Sequence, residues 1–184
     1  MIVSPNSFFR DEYVSMINKK LKLFKSSDYV SRMRLQLAPH SFQSEFATIC
    51  LDMGRQTGKT SAALMLLEQH SDALYIVHNS AAMRSIVCFA PHLKNQVLSI
   101  SDFVNRFYSR GTYNHVVLGS RIEKYSLIIL DEPYFTCTNG QRQYTNKPNC
   151  SYFESIDGES VKTYDLVSFA AFKMDSLIVK LGMQ

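Results

Sequence analysis

The sequence predicts an α/β domain in three layers, a mainly parallel sheet between helices, with a helical and basic segment ahead of it. Three observations carry this. The apolar run Phe46–Leu51 leads into Met53-Gly54-Arg55-Gln56-Thr57-Gly58-Lys59-Thr60, and that loop opens a helix-forming run, Ser61–His70. Ser126-Leu127-Ile128-Ile129-Leu130 is almost wholly apolar and ends at Asp131-Glu132, the pattern of a buried parallel strand with carboxylates at its C-terminal end. Elsewhere short apolar runs alternate with helical ones, the rhythm of βα units.

Taken in order, Phe9, Tyr13, Met16, Ile17, Leu21 and Phe24 recur at three- and four-residue spacing and predict an amphipathic helix with lysines opposite. A second helix is predicted from Asp28 to about Leu35, closed before Pro39. Gln43 stands 11 residues before Gly54. It is a candidate for reading an adenine edge by a bidentate amide contact, with an ordinary surface residue as the alternative. After the loop-borne helix, Ala73–Val77 reads as a strand and Ala81–Phe89 as a helix ended by Pro91. Val97–Ile100 follows as a strand, and Ser101 and Asp102 are cap candidates for a helix through Tyr108. His115–Leu118 is a further strand candidate.

Residues 133–160 turn to Asn, Gly, Gln, Thr, Ser and Tyr, so a polar insertion with little regular structure is expected. Arg142 and Lys147 among Tyr134, Tyr144 and Tyr152 suit single-stranded nucleic acid, whose bases stack while its phosphates pair; a plain surface loop has the same composition. Tyr164–Met174 reads as a helix packed through Leu166, Val167, Phe169, Ala170 and Phe172, and Ser176–Leu181 as the last strand.

The loop's chemistry is that of phosphate binding. Backbone N–H groups of Gly54, Gln56, Thr57, Gly58, Lys59, Thr60 and Ser61 can surround a phosphate, Lys59 can reach the β- and γ-phosphates of ATP, and the Thr60 hydroxyl can ligate Mg²⁺. The consensus P-loop has glycine where Met53 stands; here it is displaced by one, to Gly54. Asp131, 72 residues after Lys59, is the expected second partner of Mg²⁺, and Glu132 is placed to orient and deprotonate an attacking water. Each motif alone also describes a common turn or cap, and together they reinforce one another.

Composition bounds the rest. At 184 residues, 46% hydrophobic and 20% charged, the chain suits one globular domain: residues 1–36 as the basic helical segment and 37–184 as the P-loop domain. Asp11 and Glu12 interrupt the position of a signal peptide's apolar region, and no apolar run reaches the roughly 18 residues of a membrane span. A cytosolic protein is expected, in the host cytoplasm in a viral setting, with no membrane partner. Cys50, Cys88, Cys137 and Cys150 form no Cys-x-x-Cys pair, so reduced thiols are expected. Residues 1–36 hold seven basic side chains against three acidic ones, which accounts for the whole net charge of +4. That placement fits a phosphate backbone or an acidic partner, and equally a solvated helix face.

GRQTGKT followed by LIILDEP resembles the ATPase domain of viral large terminases, the DNA-packaging motors, and more distantly helicase motor domains, over roughly residues 37–184. The resemblance implies a RecA-like P-loop NTPase that hydrolyses ATP with Mg²⁺ and acts on nucleic acid, DNA rather than RNA. It maps a phosphate-contacting role onto Arg55 and the paired carboxylates onto Asp131 and Glu132. In this class a polar residue after the strand beside the Asp131 strand often senses the γ-phosphate, which makes Gln184 a candidate. Relatives of this kind continue into a nuclease or a second motor domain, so an arginine completing the site is expected in cis from Arg55, or from a second copy or partner protein, with Arg106, Arg110, Arg121 and Arg142 as donors. The competing readings are an ATP-binding regulatory module with little turnover and a small-molecule kinase. Asp131-Glu132 suits water activation better than the latter.

Overall fold

A computed structural model describes residues 9–51, 57–109, 112–116, 124–131, 152–154 and 160–182. Its centre is a five-stranded, wholly parallel sheet built from β1 (Thr48–Leu51), β2 (Ala73–Val77), β3 (Val97–Ser99), β6 (Leu127–Asp131) and β9 (Leu177–Leu181), in the order β1-β9-β6-β2-β3. β2 is buried throughout, and β6 and β9 nearly so, which is why these segments read as continuous apolar runs.

Alternation along the strands divides their side chains between two cores. Tyr75, Val77, Leu127, Ile129, Leu177, Val179 and Leu181 face α1 (Arg10–Ser26) and α4 (Lys59–Gln69). Leu74, Ile76, Ile128, Leu130 and Ile178 face α6 (Ile100–Phe107) and α7 (Thr163–Met174) on the other side. The sheet therefore lies between two helical layers, as the α/β expectation requires. α1 carries acidic Asp11 and Glu12 in its first turn and Lys25 in its last, favourable to the helix dipole. It buries Tyr13, Val14, Ile17, Leu21 and Phe24, whereas Met16, expected on that face, is 47% exposed.

Several boundaries differ from expectation. The helix expected to end before Pro39 does so, but Pro39 is also the first residue of a helix not expected from the sequence, α3 (Pro39–Glu45), since a proline at the first position gives up only an N–H with no intrahelical acceptor. α2 (Asp28–Gln36) ends just before it. A 3-10 helix, Pro91–Gln96, connects α5 (Ser80–Phe89) to β3. The cap of α6 is Ser99, whose Oγ accepts from the Asp102 N–H at 3.2 Å, so Ile100 begins the helix rather than ending a strand. The strand foreseen at His115–Leu118 is β5 (Thr112–Val116), paired antiparallel with β4 (Tyr108–Ser109) outside the main sheet. Most of the polar insertion lies outside the described residues; at its end β7 (Tyr152–Glu154) pairs antiparallel with β8 (Ser160–Lys162). On α7 the buried apolar set is Leu166, Val167, Ala170, Ala171 and Met174, while Phe169 is 38% exposed. No helix among the described residues is long and apolar enough to cross a membrane.

Candidate functional site at the C-terminal edge of the sheet

β1 runs toward the loop and α4 begins immediately after it. Gly58 caps α4 in the left-handed region, at φ 86° and ψ 19°, where a Cβ would cost roughly 1–2 kcal/mol. The first intrahelical bond is donated by Ala62 to Gly58 O at 2.8 Å, so the amides of Lys59, Thr60 and Ser61 project from the positive end of the helix. Thr60 is exposed and Lys59 half-buried. Ser61 supplies an amide of the same turn, while its side chain lines a groove of about 330 Å³ between α1, α4 and Phe89 on the outer side of α4.

Asp131 ends β6 in register with Leu181 of β9. It is in phase with Leu127 and Ile129, which puts it on the α4 face of the sheet, at the edge where α4 starts. Because β9 lies between β1 and β6, the loop-bearing strand and the Asp131 strand are two strand spacings apart, about 10 Å. The Thr60 hydroxyl and the Asp131 carboxylate are hard oxygen donors. Among the described residues no group of three or more His, Cys, Asp or Glu side chains forms a metal cage. Two protein oxygens are a set that could hold Mg²⁺, which keeps several waters and takes its remaining ligands from elsewhere.

Gly54, Arg55, Gln56, Glu132 and Gln184 lie outside the described residues, as do Arg110, Arg121 and Arg142. Arg106 lies on α6, on the face of the sheet opposite α4, with its guanidinium 5.8 Å from the Phe107 ring centroid.

Gln43 requires a correction. It is fully buried at the N-terminal edge of the sheet, where its Nε2 donates to Ala47 O and Ser176 O, both at 3.0 Å. An amide committed to two backbone carbonyls, at the edge opposite the loop, does not read an adenine.

The basic segment is likewise divided. Arg34 pairs with Asp175, donates to Phe172 O and lies over the Phe172 ring, so it holds α2 to α7. Lys25 sits 3.7 Å from Asp72, and Arg10 2.9 Å from Asp11. Lys19, Lys20, Lys22 and Arg32 form no ion pair among the described residues, and Lys19, Lys22 and Arg32 are exposed.

Two polar residues at the C-terminal edge were absent from the sequence reading. His78 follows β2 beside the Asp131 strand, and Lys180 stands opposite Leu130 on the α7 face, its Nζ 3.9 Å from the Tyr164 ring centroid. Burial raises the Tyr164 pKa, opposed by its 2.8 Å hydrogen bond to Thr48. Only the adjacency of strands distant in sequence brings these residues to the edge. Compared with protein-family models, with curated proteins and with solved structures, the chain gives no match in any of the three.

Proposed function

We propose that the chain is a P-loop ATPase of RecA-like type, which binds ATP with Mg²⁺ and hydrolyses it to move, package or remodel nucleic acid. The observation that supports this most is the pairing of the helix start at Lys59-Thr60 with Asp131, on one edge and one face of a parallel sheet, with β9 between their strands. Ligands of open α/β sheets bind at that edge. Lys59 would meet the β- and γ-phosphates, the amides of the first turn of α4 would cradle them, and Thr60 and Asp131 would hold the cation. Bound Mg²⁺ supplies charge neutralisation on the phosphates. Glu132 would take the proton of the attacking water, and Arg55 would offset charge on the transferring group.

Nucleic acid as the partner draws support from the exposed basic face of α1 and α2. DNA rather than RNA rests on the resemblance to terminases alone, and a second copy or partner protein remains the proposed source of an arginine if Arg55 does not serve.

The test is ATP hydrolysis with and without single- and double-stranded DNA and RNA, run beside Lys59→Ala. The parent should hydrolyse ATP, faster with its nucleic acid, and the folded variant should lose most binding or turnover. Binding without turnover under every condition would favour a regulatory module, and a folded Lys59→Ala protein with parental binding and hydrolysis would sink the site. Neutralising Lys19, Lys20 and Lys22 should flatten the salt dependence of nucleic-acid binding by about 0.7–0.9 in log–log slope per lost phosphate contact.

A further inference from the structure

We propose that Tyr13 is a positioning residue of the phosphate loop, acting through Thr57. This rests on the nucleotide reading above. Tyr13 lies on the buried side of α1 and is fully inaccessible; Thr57, immediately before the glycine that caps α4, is 9% exposed. The Tyr13 hydroxyl oxygen is 3.2 Å from Thr57 Oγ1, a buried bond between groups 44 residues apart. Around it α1 and α4 share one apolar core, and Asn18 fastens them further along by donating to Gln69 Oε1 at 2.9 Å and by a 2.7 Å bond between its Oδ1 and His70.

The chemistry explains why a tyrosine serves at this place. A hydrogen bond between two buried hydroxyls is shielded from water, so this one ties the Thr57 side chain to α1. Thr57 precedes Gly58, and Gly58 sets the left-handed turn from which the amides of Lys59, Thr60 and Ser61 project. Fixing the Thr57 side chain therefore fixes the backbone that aims those amides. A phenylalanine at position 13 would fill the same space in the core and lose the hydroxyl that meets Thr57. α1 carries Lys19, Lys20 and Lys22 further along its length, so the hydroxyl pair also joins the basic helix directly to the loop.

The experiment uses the full chain, with Tyr13→Phe, Thr57→Val and the double variant. MgATP affinity is measured by titration calorimetry, and amide hydrogen exchange at residues 57–59 is followed in nucleotide-free protein. Each single variant should weaken MgATP binding by about 3–10-fold, the size of one hydrogen bond, and the double variant should be no weaker than the worse single. Exchange at residues 57–59 should quicken in Tyr13→Phe, whereas exchange in β2 and β6 stays as in the parent. Parental exchange at those amides in Tyr13→Phe overturns the proposal, as do additive losses of affinity. A uniform fall in stability, with affinity and local exchange unmoved, assigns Tyr13 to the core alone and also overturns it. If the parent chain binds no MgATP, the nucleotide reading fails by itself, and the exchange measurement still decides whether Tyr13 positions the loop.

Discussion

The two edges of one sheet use polar side chains in opposite ways. At the N-terminal edge every strand is stitched to a neighbour by short, neutral groups. Gln43 joins the starts of β1 and β9, and Ser176 Oγ donates to Tyr125 O at 2.5 Å to join β9 to β6. The Ser126 N–H donates to Asp72 O at the entry to β2, and Gln96 Nε2 reaches Leu67 O, His70 O and Ala73 O at 2.8–3.2 Å to join α4, β2 and the approach to β3. These donors satisfy buried backbone carbonyls. At the C-terminal edge stand Gly58, Lys59, Thr60 and Asp131, a left-handed glycine turn followed by ionisable or hydroxyl groups at the ends of elements. Bonded neutral groups thus mark one edge of the sheet, and the other carries the glycine turn, Lys59, Thr60 and Asp131 on which the proposed nucleotide site is built.

Four substitutions break or sharpen this contrast, in order of falling effect. Glu132→Gln should cut ATP hydrolysis by about 10²–10⁴-fold while ATP still binds, because shape and hydrogen bonding survive and the base does not. Hydrolysis at the parental rate would place the base elsewhere. Gln43→Leu should lower stability by about 2–4 kcal/mol in urea titration, since two buried carbonyls lose their donor. Nucleotide affinity of the folded fraction should stay parental; a collapse of affinity at unchanged stability would return Gln43 to the site and dissolve the contrast.

Gly58→Ala should cost roughly 1–2 kcal/mol of stability from the left-handed turn and weaken nucleotide binding as the first turn of α4 shifts. Loss of stability with untouched binding would mean the helix start is not part of the site. Ser176→Ala removes one buried donor at the stitched edge and should cost about 0.5–1.5 kcal/mol in the same titration, with no change in turnover.

How much of this was legible in the chain depends on the range of the interaction. The continuous apolar runs at β2, β6 and β9 and the helical spacing of α1 are local patterns, so the strands and most helices were readable one segment at a time. Pro39 marked the end of α2 correctly but concealed the start of α3, because a proline breaks a helix from inside and is tolerated at its first residue. Gln43 misled because its distance from the loop along the chain says nothing of which sheet edge it occupies, and the bond that decides its role reaches Ser176, 133 residues away.

The sequence by itself determined the α/β class, the loop between β1 and α4, and a carboxylate at the end of a buried strand, because hydrophobic period and turn chemistry act over a few residues. Only the tertiary structure decided that β9 separates the loop strand from the Asp131 strand, that Asp131 shares a face with α4, and that Tyr13 reaches Thr57. Strand order and side-chain meetings across 44 or 133 residues are products of the packed core, where closing a long loop is repaid by contacts that no single segment contains.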